Sequence, residues 1–136
     1  GSPEMRQDIS RIRQEMGRLS RERWGLEREL VGVLSRKFLL KGSLVEKYKA
    51  CNKQGCRCTR GELHGPFCYL SLSQEGKTKM IFIKRQHWQK AKELSTNYRQ
   101  WRQRRARIVK INREMLALID QMGKERTVEV SSLEKR

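Results

Sequence analysis

All four cysteines of the chain and one of its two histidines fall between residues 51 and 68. They run Cys51-Asn-Lys-Gln-Gly-Cys56-Arg-Cys58, then five residues, then His64-Gly-Pro-Phe-Cys68. Thiolates and an imidazole gathered so closely are the donor set of a tetrahedral metal site, and the borderline-soft ion Zn²⁺ suits them. A disulfide framework would need an oxidising compartment, and nothing in the chain suggests export. Thiol catalysis calls for an exposed cysteine beside a base or a Cys-x-x-Cys pair, and the spacing Cys-x4-Cys-x-Cys supplies neither. An iron–sulfur cluster is the alternative, since four cysteines also ligate iron. Cys51, Cys56 and Cys58 are read as ligands. His64 is preferred as the fourth, with Cys68, in an expected strand, as the alternative. Four protein ligands leave no open coordination position, so the metal is expected to staple a segment too small and polar to fold alone.

The second chemistry is attraction of polyanions. The 136 residues carry 32 Lys and Arg against 15 Asp and Glu, a net charge of +17, and the pI is near 10.4. Residues 1–40 contribute +3, and residues 41–85 and 86–136 contribute +7 each. The densest stretch, from Arg85 to Arg113, sets ten basic residues against one acid, Glu93. A solvated helix face is the plainer reading, yet such faces mix signs to gain pairs four residues apart. This one does not, so Lys84, Arg85, Arg99, Arg102, Arg104, Arg105, Arg107, Lys110 and Arg113 are candidate phosphate contacts. Lys53, Arg57, Arg60, Lys77 and Lys79 crowd the cysteine segment. One or two of them would offset the net negative charge of a thiolate-bound zinc, and the remainder would form a phosphate-facing knob.

Two long helices are expected to carry these groups. Ile12, Leu19, Leu26, Val33 and Leu40 recur every seven residues, as do Leu94, Trp101, Ile108, Met115 and Met122. Arg23, Lys37, Arg105 and Asn112 interrupt the seams. Each helix would be about 54 Å long and unstable with its seam in water. Ser43-Leu-Val-Glu46 matches a capping box and predicts a short helix to about Lys49. Phe67–Ser73 and Thr78–Ile83, bracketing Gln74-Glu-Gly-Lys77, read as a β-hairpin. The expected fold is mainly α: an antiparallel coiled-coil hairpin of two long helices, capped by a small Cys-rich zinc-binding β-hairpin. Residues 1–4 read as an expression-vector remnant and 5–42 as the N-terminal coiled-coil helix. Residues 43–84 form the short helix and metal-binding hairpin, 85–123 the basic C-terminal coiled-coil helix, and 124–136 a flexible tail.

Further residues resemble a known pattern. Lys41-Gly-Ser-Leu-Val-Glu-Lys-Tyr-Lys-Ala-Cys51, Cys56-Arg-Cys58, Gly61-Glu-Leu-His64-Gly-Pro-Phe67, Tyr69-Leu-Ser71 and Gly76-Lys-Thr78 look like the signature of an uncharacterised family of small bacterial proteins. That family is a domain of unknown function, loosely associated with mobile genetic elements, and the resemblance spans about residues 41–120. It implies three cysteines plus the histidine as ligands, with an aromatic residue more usual where Cys68 stands. It implies no activity.

These readings point to a non-enzymatic, zinc-containing nucleic-acid-binding protein, with DNA favoured over RNA. One alternative is a coiled-coil adaptor accessory to a DNA recombinase or nuclease, or a homodimer formed through the seams. Another is a metal- or redox-responsive regulator. An enzyme is not expected, because no paired carboxylates, Gly-rich phosphate loop or Ser/His/Asp set is present. No apolar run approaches a membrane span and no signal peptide opens the chain, so no membrane partner and a cytoplasmic, nucleoid-associated location are expected.

Overall fold

The computed structural model describes residues 3–51, 53–56 and 61–134. In chain order they form α1 (Pro3–Arg36), β1 (Ser43–Lys49), β2 (His64–Gln74), β3 (Lys77–Ile83), a 3₁₀ turn (Arg85–His87), α2 (Trp88–Arg126) and α3 (Val130–Glu134). Among the described residues, no helix is long and apolar enough to cross a membrane.

The chain divides into two compact units, one of residues 34–102 and one of residues 1–33 with 103–136. The first is built on a three-stranded antiparallel sheet in the order β1-β2-β3. Strands β2 and β3 are the expected hairpin. Their turn has two central residues, Glu75 at φ 52° and Gly76 at φ 76°, the geometry that matches the twist of paired strands. Residues 43–49 are a strand, where the capping-box pattern had predicted a helix. Pairing with β3 leaves the other edge of β2 with open backbone groups, and β1 fills it from Ser43 opposite Ser71 to Lys47 opposite Phe67. Gly42, at φ 118°, admits the chain to that edge, since a Cβ there would stand 2.8 Å from the Ser71 carbonyl oxygen. The local helix signal loses to a ladder with a distant partner.

One sheet face is covered over β2, while Ile81 of β3 on the same face is 42% exposed. Cys68 and Leu70 are buried on it, Glu46 from the same face meets Lys92 of α2 at 3.9 Å, and Ala91 of α2 is buried. Helix α1 stops at Arg36, several residues before the expected 42, because the segment that follows is bonded to α2 instead. The Leu40 N–H donates to the Leu94 carbonyl at 3.0 Å, and buried Asn97 donates its Nδ2 to the Phe38 carbonyl at 3.2 Å.

The second unit is helical. Its core is Ile12, Leu19, Leu30 and Ile111, and Leu19 and Ile111 are fully buried. The expected architecture of two helices pairing along their length, with a small hairpin as cap, is therefore corrected. The early turns of α2 are tied to a three-stranded sheet that has its own core, because the Trp88 Nε1–H donates to the Ile83 carbonyl at 2.8 Å and Asn97 serves the 37–42 segment rather than a helical seam. The stretch 124–136, expected as a loose tail, includes the last turn of α2 and the short α3.

Candidate metal centre and cationic surfaces

Antiparallel pairing brings the end of β1 to the start of β2. Lys49 stands opposite His64, so Cys51, two residues beyond, emerges beside the imidazole. The register shifts between Lys47 and Lys49, where two residues of β2, Gly65 and Pro66, stand against the single residue Tyr48 of β1. Opposite it, Gly65 takes φ 140°, and a Cβ there would lie 2.8 Å from the Lys47 carbonyl oxygen. The Gly65–Pro66 peptide is cis. Beyond β1 the chain reverses at Lys53-Gln54-Gly55-Cys56, with Gly55 at φ 78° and the Cys56 N–H directed at the Lys53 carbonyl at 3.4 Å. That turn carries Cys56 back to the strand ends.

The ligand atoms of Cys51, Cys56 and His64 all lie within 4.8 Å of one another, and Cys56 Sγ is 3.0 Å from His64 Nε2. Three donors so close are suited to a single ion, since about 2.3 Å for metal–sulfur and about 2.0 Å for metal–nitrogen bonds set the expected separations. The two cysteines are half-buried and the histidine is exposed. Cys58, the expected third thiolate, lies outside the described residues, as do Arg57 and Arg60. Cys68 is not part of the cluster. It is 1% exposed on the core side of β2, four residues and about 13 Å along the strand from His64.

The cations of α2 divide into two kinds. Arg107 makes a two-pronged pair with Glu22, Nε to Oε1 at 2.7 Å and Nη2 to Oε2 at 3.0 Å, and Arg104 Nε meets Glu29 at 3.2 Å. The hydrogen bonding that Arg107 donates to Glu22 is the main reason both that the Glu22 carboxyl is held below its usual range and that the guanidinium is raised. By contrast Arg99, Arg102, Arg105 and Arg113 are exposed and make no ion pair among the described residues. Lys110 is also exposed, with the Glu22 charge nearby. Lys53, Lys77, Lys79, Lys84 and Arg85 are exposed in the sheet-bearing unit.

Residues 6–93 match the family model described as Domain of unknown function (DUF6788). The chain belongs to that family. The DUF6788 match takes in α1, the three strands and the cysteine loop, and ends at Glu93 in the early turns of α2. This agrees with the expectation of an uncharacterised family, over 6–93 rather than about 41–120. No match was found among curated proteins or among solved structures.

Within the DUF6788 region lies a group the sequence reading passed over. Lys47 and Lys49 both sit over the Tyr69 ring, at 5.6 and 4.7 Å, and Lys49 Nζ donates to the Tyr69 hydroxyl. Tyr69 meets Phe82 edge-on, with ring centres 5.7 Å apart. The alternation Lys47-x-Lys49 and Phe67-x-Tyr69 was the available signal. Reading 43–49 as a helix hid the fact that these residues share one strand face.

Proposed function

We propose that this chain is a non-enzymatic nucleic-acid-binding protein, DNA favoured, in which a zinc ion staples the β1–β2 end of the sheet and exposed cations contact phosphates. The observation that carries this reading is the division of the α2 cations. Arg104 and Arg107 are engaged by carboxylates, whereas Arg99, Arg102, Arg105 and Arg113 are exposed and make no ion pair among the described residues. A helix face that keeps like charges together favours a partner bearing regularly spaced negative charge. Lys53, Lys77, Lys79 and Lys84 add to this around the sheet.

Zinc is the metal the donor set supports. Two thiolates and an imidazole from Cys51, Cys56 and His64 suit it, and Cys58 is the fourth donor that the sequence offers. An ion there would join the end of β1, the reversal at Gly55 and the start of β2, so its contribution is to folding and not to chemistry on a substrate.

The test is a binding panel with duplex DNA, single-stranded DNA and RNA of equal length, each across a salt series. The expected result is binding at low salt whose logarithm falls linearly with the logarithm of salt concentration. Absence of binding to every member at low salt would overturn the reading. Elemental analysis tests the metal separately: one zinc per chain is expected, and iron in its place would refute zinc.

A further inference from the structure

The two faces of the sheet differ in a way that phosphate contacts alone do not explain. The register sets Lys47, Phe67, Tyr69, Met80 and Phe82 on the face opposite Cys68 and Leu70. Phe82 is 54% exposed and Met80 39% exposed there, on an edge strand. We propose that this face is a platform for an unpaired nucleic-acid strand, with Phe82 stacking a base and Lys47 and Lys49 contacting the adjoining phosphates. The proposal rests on the nucleic-acid reading above and names the form of nucleic acid that the sheet takes.

Three observations carry it. The first is ring availability. Phe82 touches Tyr69 edge-to-face at 66°, so Phe82 is not stacked on its neighbour. Base–aromatic stacking is the usual way a sheet surface holds unpaired strands, and it tolerates any sequence because every base has a π-face. The second is charge. Lys49 is held over the Tyr69 ring and bonded to its hydroxyl, and Lys47 lies over the same ring. A ring orients an ammonium without neutralising it. The nearest strand carboxylate, Glu46, is on the covered face with Lys92. An apolar patch rimmed by unneutralised lysines suits a ligand with aromatic bases and anionic linkers. The third is the edge itself. Lys77 and Lys79 in β3, with Lys84 just beyond it, place charge along the open edge, which disfavours a second copy of this chain pairing there.

The experiment compares three fluorescently labelled ligands with the intact protein: oligothymidylate of about 12 nucleotides, an abasic strand of the same phosphate number, and a duplex of the same length. The platform predicts oligothymidylate bound about tenfold or more tighter than the abasic strand. Phe82→Leu, whose ring is outside the buried core, should bring that ratio close to unity. Phe82→Trp should preserve it, and both should leave duplex binding unchanged. Equal affinity for oligothymidylate and the abasic strand would overturn the platform, as would a ratio unmoved by Phe82→Leu. Duplex binding with no base dependence would sink the platform alone. Loss of binding to all three at low salt would sink the nucleic-acid reading with it. Circular dichroism of both variants confirms that the sheet is intact in each comparison.

Discussion

In the helical unit the cations of α2 that lie beside α1 meet carboxylates: Arg107 with Glu22 and Arg104 with Glu29. In the sheet-bearing unit Lys47 and Lys49 meet aromatic rings instead. The difference separates charge paired with carboxylates from charge held over aromatic rings. A guanidinium bound by a carboxylate is neutralised and fixed, whereas an ammonium over a phenol ring is positioned and still cationic. A net charge of +17 therefore overstates the field offered outward by the helical unit and understates the organisation of the sheet. The two units also differ in what holds them. One has a core of Leu19, Ile111, Ile12 and Leu30, and the other adds a Cys/His cluster close enough to hold a metal ion to a small buried set.

That contrast predicts its largest effect on metal removal. Structural zinc contributes apparent binding energies of about 10–16 kcal/mol in small modules, all of it linked to folding. Chelation, or Cys56→Ser, should abolish hydrogen-exchange protection in β1 and the first half of β2 while amides around Leu19 in α1 keep theirs. Equal loss in both places would erase the distinction between the units. The converse change is Leu19→Ala. At a fully buried position it should destabilise by about 2–5 kcal/mol, read by denaturant unfolding of the helical signal, while zinc content stays at one per chain. A fall in zinc content would show that the metal site depends on the helical core.

How far these differences can be read from sequence depends on their range along the chain. The Cys/His cluster is legible because its donors are close together and chemically specific. The β2–β3 hairpin is legible because Gly76 and the flanking branched and aromatic residues are local signals. The strand β1 is not, because Ser43 and Glu46 imitate a helix start while the partner that decides the matter begins at His64. Nor is the pairing of Glu22 with Arg107, separated by 85 positions, so all the arginines of 99–113 looked equivalent. Cys68 counts as an alternative ligand in the sequence because it is one of the four cysteines gathered within residues 51–68. Strand geometry then sets it about 13 Å from His64, on the core side. Gly65 is visible in the His-Gly-Pro run, but the reason for a glycine there is not, because the β-bulge that excludes a Cβ is made with Lys47 and Tyr48 of the strand that imitates a helix.

A smaller effect concerns pH. Glu22 is held below its usual 4.5, mainly by the Arg107 hydrogen bond, so the unfolded chain takes up its proton before the folded one does. Its stabilising contribution is complete above that value and is lost as the pH falls through the lower, folded one. Glu22→Gln should leave a shallower decline of helical stability on the acid side of pH 4.5 than the parent shows. An unchanged acid limb would mean that the pair is too exposed to couple to folding.

The most direct test sets the two kinds of arginine in the helical unit against each other. Duplex DNA binding is measured across a salt series for Arg105→Gln/Arg113→Gln and for Arg104→Gln/Arg107→Gln. Each lost phosphate contact reduces the salt slope by about 1, so the first pair should lower it by about 2 and weaken binding at low salt. The second pair should leave the slope unchanged, because those guanidinium groups are already engaged by Glu29 and Glu22. Equal slopes for the parent and the Arg105/Arg113 variant, or a drop of the same size in the Arg104/Arg107 variant, would contradict the division of charge on which the proposed function rests.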